Sequence, residues 1–256
     1  MNQLQYFYQW IASTPSLFEL RPPFVDFRHL EPISVPPLER YVGNPRLGFL
    51  YQHLCTTLIE NTQRYSIEID EVQINASSGQ TLGAIDLILR NQEMNQFEHW
   101  EVAIKFYLLH QGIWYGPNAQ DQLDKKLDRM LSHQLKMSKV DEFTQHYPHL
   151  GALSEHLLMQ GRLYINPFSP ETIPKECLGF ELNSSQISGY WCYQHQWEQI
   201  QEPLYELKKP YWATGITDHT DINESDHVMK MPIDRFIHAQ TVNGQFWFVV
   251  PDTWPN

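Results

Sequence analysis

Asp86, Glu101 and Lys105 are the residues whose types and spacing suit chemistry. They lie in two segments, Gly83-Ala84-Ile85-Asp86-Leu87-Ile88-Leu89 and, after a polar stretch, Trp100-Glu101-Val102-Ala103-Ile104-Lys105. Two carboxylates with a backbone carbonyl between them supply the hard oxygen donors that hold Mg2+ or Mn2+. A metal held there polarises a phosphodiester and acidifies a bound water. A nearby amine orients that water or stabilises developing charge.

Strands must position these groups. Both segments alternate with period two, which sends successive side chains to opposite faces. Ile85, Leu87 and Leu89 are expected on one face of the first strand, with Asp86, Ala84 and Ile88 opposite. In the second, Val102, Ile104 and Phe106 share one face, and Glu101, Ala103 and Lys105 the other. The link from Asn91 to Gln96 is polar and short enough for a hairpin. Charges buried on such a face are costly unless paired or metal-bound, which makes the pair a candidate metal site. The same alternation also describes an exposed face on which Glu and Lys pair across strands.

Around this motif the pattern predicts an amphipathic helix over Leu4 to Ile11 and a Pro-punctuated lead-in over residues 21 to 47. A helix follows from Leu47 to Asn61, striped by Leu47, Leu50, Leu54 and Leu58, then a first strand from Tyr65 to Ile74. Gly116-Pro117-Asn118 reads as a turn into a helix, capped by Asn118 with Asp121 three residues on. That helix has an apolar face of Leu123, Leu127, Met130 and Leu131 and a basic one of Lys125, Lys126 and Arg129. From His149 onward, short apolar runs (161–165, 187–193 and 246–250) alternate with Pro-rich and acidic loops, a second α+β region. Three parts result: a lead-in over 1–45, a core over 46–148 and a C-terminal region over 149–256 packed on that core.

Composition narrows the class. Of 256 residues, 42% are hydrophobic, with 8 Trp, 13 Tyr and 13 Phe, enough for a packed core. No run approaches the roughly 20 apolar residues of a membrane-spanning helix, and Met1-Asn2-Gln3 begins nothing that resembles a signal peptide. Cys55, Cys177 and Cys192 have no metal-knuckle spacing and are expected as reduced thiols in the cytoplasm. A net charge of -12 counts against a general nucleic-acid coat, though not against one local basic groove.

Other motifs carry less. The acidic loop from Asp218 to Asp226, flanked by His219 and His227, matches no zinc or EF-hand template. His195 near Cys192, and His149 near His156, lack ligand spacing. Gln134 is read as a surface or packing residue. The aromatics Trp191, Tyr211, Trp212, Phe246, Trp247 and Phe248 are read as core. Lys208-Lys209-Pro210-Tyr211-Trp212 is the place where basic and aromatic residues interleave, as nucleic-acid contacts do. There is no nucleophile elbow, phosphate loop or dinucleotide fingerprint, so no nucleotide cofactor is expected.

Gly-x-Ile-Asp-Leu-Ile, a polar hairpin, then apolar-Glu-Val-x-x-Lys resembles the core of the PD-(D/E)XK nuclease superfamily. The helix Leu47 to Leu54 looks like that core's opening helix. More closely, Leu47 to Leu54, Gly83 to Leu89, Trp100 to Leu108, Gly116 to Leu135 and the Trp-Pro ending resemble the bacterial domain of unknown function 1853 family, placed within that superfamily. The resemblance implies an α/β fold of the restriction-endonuclease-like type, a mixed sheet flanked by helices with a C-terminal α+β elaboration. It implies a Mg2+- (or Mn2+-) dependent nuclease of DNA or RNA, with Asp86 and Glu101 as metal ligands and Lys105 as the third catalytic group. Lys125, Arg129 and Gln52 are the candidate substrate contacts, the two cations on phosphates. Two positions depart from the pattern. Ala103 stands two residues after the Glu, where Lys is expected, so Lys105 must reach back from about 13 Å along the strand rather than roughly 7 Å, or Lys125 or Lys126 must replace it. Gln52 stands where a helix acid is expected, with Glu60 two turns later. The alternative these departures favour is a catalytically silent module that keeps the fold and binds nucleic acid or protein.

Overall fold

Local signals account for most of the elements. Asn2 caps α1 (Gln3–Ser13) by a reciprocal pair of bonds with Gln5. The leucine stripe of α2 (Leu47–Glu60) is buried at Leu50, Leu54 and Leu58. The computed structural model describes residues 2–30, 35–38, 40–216 and 233–256. The acidic loop from Asp218 to Asp226, with His219 and His227, lies outside the described residues.

After α2 come β1 (Tyr65–Asn75), β2 (Thr81–Asn91), β3 (Gln96–His110) and the short β4 (Ile113–Tyr115). Next are α3 (Leu123–Ser132), a 3-10 stretch over Gln134–Lys139, and α4 (Asp141–His146). The C-terminal part supplies β5 (Ser154–Ile165), the small ribbon β6 (Glu176–Cys177) and β7 (Phe180–Glu181), β8 (Ile187–Tyr193), β9 (Leu204–Glu206), β10 (Ile237–Thr241) and β11 (Phe246–Val250).

The fold is mixed α/β, a large mixed sheet flanked by helices. Among the described residues nine strands join one sheet in the order β1-β2-β3-β5-β8-β11-β10-β9, with β4 also on β3. β2 pairs antiparallel with β1 on one side and with β3 on the other, as the hairpin pattern predicts. β3, β5, β8 and β11 run parallel, so the chain must cross over between β3 and β5, and α3 and α4 lie in that crossover. The strands after residue 149 thus extend the same sheet. Gly161 lies across from Lys105 at φ +150, and a Cβ there would stand 1.6 Å from the Lys105 carbonyl oxygen. Only glycine lets β5 run this close to β3.

The two faces of the sheet pack separately. Trp100, Val102, Ile104 and Phe106 form one core with α1 and α2. Tyr107 and Leu109 form another with Leu123, Leu127 and Met130 of α3. The expected face of Ile85 is corrected: it packs with Ile74, Ile88, Met137 and Phe143, not with Leu87 and Leu89. The expected cap of α3 also differs. The helix begins at Leu123 with no side-chain cap on Gln122, and Asn118 Oδ1 accepts only from Gln120 N–H, at 3.3 Å. Asp121 is drawn away by a charge-assisted bond to Lys105, which is stronger than a neutral cap.

Candidate active site

The site forms where β2 and β3 part. Their paired register ends at Leu87 and Trp100. Beyond it, side chains take over the backbone bonds. Val102 N–H donates to Asp86 Oδ2 at 2.9 Å, and Asp86 N–H donates to Glu101 Oε1 at 3.4 Å. These two bonds bring the Asp86 and Glu101 side chains together at the end of the ladder. Gly83 permits the covering 3-10 stretch to approach, since a Cβ there would meet Met137 Sδ at 2.6 Å.

Burial sets the electrostatics. Glu101 is fully buried and Asp86 half-buried. Desolvation, then the Glu101 charge, pushes the Asp86 carboxyl up to about 7. Desolvation pushes Glu101 up to about 7 as well, against hydrogen bonds from the Asp86 backbone and from Gln134. His99, fully buried two residues before Glu101, is lowered to about 4, chiefly by desolvation. Its Nε2 lies 3.0 Å from Glu101 Oε1 and its Nδ1 lies 2.9 Å from Ser138 Oγ.

The cation beside the pair is Lys126. It is half-buried, and burial followed by the Lys105 charge lowers its pKa, while Glu101, Asp121 and Asp86 oppose that. Its Nζ donates to Gln134 Oε1 at 2.9 Å, and Gln134 Nε2 donates to Glu101 Oε2 at 3.0 Å. Gln134 is thus the link between lysine and carboxylate, not a surface or packing residue. Lys105 is held elsewhere, with Nζ 2.6 Å from Asp121 Oδ2, an oxygen that also accepts from Tyr107 Oη at 3.2 Å. Lys125 and Arg129 stand exposed on α3, outside this network. Gln52 is half-buried on α2, which packs on the opposite face of the sheet.

His99, Gln134 and Ser138 were missed as site residues. The period of β3 places His99 on the Glu101 face, and that was the one signal available. Gln134 and Ser138 reach Glu101 and His99 from 33 and 39 residues away, beyond any local pattern.

Among the described residues no three His, Cys, Asp or Glu side chains group as a metal cage. The donor set is two carboxylates. That number suits Mg2+ or Mn2+, which keep waters and complete their shell with substrate phosphates, and it suits neither zinc nor calcium. Burial raises both carboxyls, with the Glu101 charge adding to this at Asp86, and a divalent cation would offset both effects, so the residues fit such an ion.

Three of the other histidines make ordinary contacts. His195 pairs with Asp252 at 2.8 Å, His149 lies 3.7 Å from Glu68, and His156 stacks on Trp100. Cys55, Cys177 and Cys192 are free and buried. Among the described residues no helix is long and apolar enough to cross a membrane.

Comparison with known proteins agrees with one part of the sequence reading. The family described as a domain of unknown function, DUF1853, matches residues 26–246, and the chain belongs to that family. No curated protein and no solved structure matches it.

Proposed function

We propose that this member of the DUF1853 family is a metal-dependent phosphodiesterase of DNA or RNA, built on a restriction-endonuclease-like sheet. The observation that carries this reading is the crowding of Asp86 and Glu101 past the end of the β2–β3 ladder, with both carboxyls raised to about 7. Paired carboxyls perturbed by burial, beside a half-buried lysine, are the kind of group found where enzymes tune acids and bases. Asp86 and Glu101 would hold Mg2+ or Mn2+, which when bound polarises the phosphate and acidifies a water.

The chain's own residues have definite tasks. Lys126 brings a positive charge to the phosphate and offsets the negative charge that develops there. Gln134 fixes the Lys126 ammonium relative to Glu101 through its two hydrogen bonds. His99 and Ser138 hold the Glu101 side chain in place, so that its second oxygen remains directed at Gln134. Lys105 bonds Asp121 and takes no part in this hydrogen-bond set.

Calorimetric titration with Mg2+ and Mn2+, with and without an oligonucleotide, tests the site. Saturable binding by wild type that is lost in Asp86→Ala is expected, together with metal-dependent cleavage that falls at least about a hundredfold in Lys126→Met. Absence of metal binding in both conditions overturns the reading. The second reading, a silent binding module, draws on Ala103 and on the capture of Lys105 by Asp121. Nucleic-acid binding with no metal-dependent cleavage would establish it.

A further inference from the structure

The edge of β3 between the two hairpins is open. Its pairing with β2 ends at Trp100 and its pairing with β4 begins at Leu108, and among the described residues only β5 flanks the segment between. A cleft of about 500 Å³ opens onto this edge. Arg46, Lys105 and Lys209 line it, with Trp212, Phe236 and Phe106 as its aromatic wall.

Two features bear on what this cleft would hold. The chain has a net charge of -12, yet among the described residues three cations here face one lining carboxylate, that of Asp121, already bound to Lys105. The aromatics are also held rigid. Trp212 packs edge-to-face on Phe106 at 5.7 Å and on Phe236 at 6.0 Å, and its Nε1 donates inward to Leu207 O at 3.0 Å. The half-buried ring stays in the cleft wall. Lys105 joins the cleft to the carboxylate site, since its charge acts on Lys126.

We infer that this cleft takes an unpaired stretch of nucleic acid, with a base against Trp212 and backbone phosphates on Arg46 and Lys209. Aromatic faces stack any unpaired base, and cations along the groove track the backbone. A volume of this size admits a ligand of one or two nucleotides, whereas a duplex keeps its bases inside the stack. The cleft therefore selects single strands or frayed ends over intact duplex. The fate of the strand rests on the phosphodiesterase reading, but the test reads binding alone.

Fluorescence anisotropy of labelled dT12 and of a hairpin duplex, measured in EDTA, decides it. Wild type should bind dT12 at least about tenfold more tightly than duplex. Arg46→Glu and Lys209→Glu, both at exposed positions, should each weaken dT12 binding with unchanged circular dichroism. Together they should reduce the salt slope by about 1.4, at ~0.7 per phosphate on a single strand. Trp212→Leu should weaken dT12 binding at least about fivefold, and dT12 should quench tryptophan fluorescence in wild type. Equal affinity for duplex, or charge reversals that bind dT12 as wild type does, would overturn the inference. Cleavage of duplex by a protein that does not bind dT12 would overturn it and leave the phosphodiesterase standing. The expected binding without Mg2+-dependent cleavage would remove the phosphodiesterase and keep the cleft.

Discussion

On the side of β3 that α2 covers, Trp100, Val102, Ile104 and Phe106 are buried in an apolar core. On the side that α3 covers, the same strand presents His99, Glu101, Lys105 and Tyr107. Each side also holds a buried glutamate. Glu98 accepts from Asn91 Nδ2 at 2.8 Å and from Trp100 Nε1 at 2.7 Å within its own hairpin, and its Oε2 lies 3.5 Å from His156 Nε2 of β5. Glu101 depends on Asp86, His99 and Gln134, and shares its surroundings with a second carboxyl. The first takes its hydrogen bonds from its own hairpin and serves stability. The second sets two desolvated carboxyls side by side near one half-buried lysine, a cost that proteins retain where a ligand is to be bound.

Substitutions on the two faces should therefore behave differently. Trp100→Ala should produce the largest change, a loss of about 3–5 kcal/mol in urea unfolding, because it opens a cavity and removes a donor from Glu98. Little dependence on divalent cations is expected for that variant beyond the wild-type response. A cost independent of Trp100 burial would mean that the α2 face is not the stabilising one.

His99→Gln should cost on the order of 2 kcal/mol at neutral pH, through the bond lost to Glu101. It also changes the acid limb. The folded His99 pKa, about 4, lies below its ordinary 6.5, so its contribution is present above pH 6.5 and is lost as pH falls towards 4. Chemical denaturation across that window should show a shallower loss in the variant.

Asp86→Asn should go the other way. The folded pKa of Asp86 is raised from 3.8, and that of Glu101 from 4.5, each to about 7. Their stabilising contribution is present at low pH and disappears as pH climbs through 7. In EDTA at pH 8 the variant should gain about 1–2 kcal/mol over wild type, and at pH 4 it should gain nothing. Mg2+ should raise the wild-type melting temperature at pH 8 but not that of the variant. A variant less stable than wild type at pH 8 would break the contrast between the faces. The smallest effects belong to Lys125→Ala and Arg129→Ala, exposed and outside the network, which should stay within about 0.5 kcal/mol in the same assay.

The hairpin that carries Asp86 and Glu101 was legible because period two needs only a dozen residues to declare itself. The helices announced themselves by their leucine stripes and, at Asn2, by a cap. Misreadings arose where a distant partner outweighed a local preference. Asp121 belongs by sequence to a cap, yet Lys105 claims it. Ile85 belongs by parity with Leu87, yet β2 leaves its ladder at that point and Ile85 joins Met137 and Phe143. Among three neighbouring basic residues on α3, spacing alone did not separate Lys126 from Lys125 and Arg129. Burial did.

Three helices (α1, α2 and α3), the first three strands and the facing of two carboxylates could be read from the chain, since each follows from periodicity and steric rules acting within a few residues. Tertiary structure alone decided which lysine meets those carboxylates and that Gln134 links them. It also decided that β5, β8 and β11 continue the sheet in parallel, and that an edge of β3 stays open beside Trp212. These depend on the path of the crossover and the twist of the sheet, which bring together residues dozens of positions apart. The desolvation that then raises two carboxyls and lowers a histidine is a property of the assembled interior.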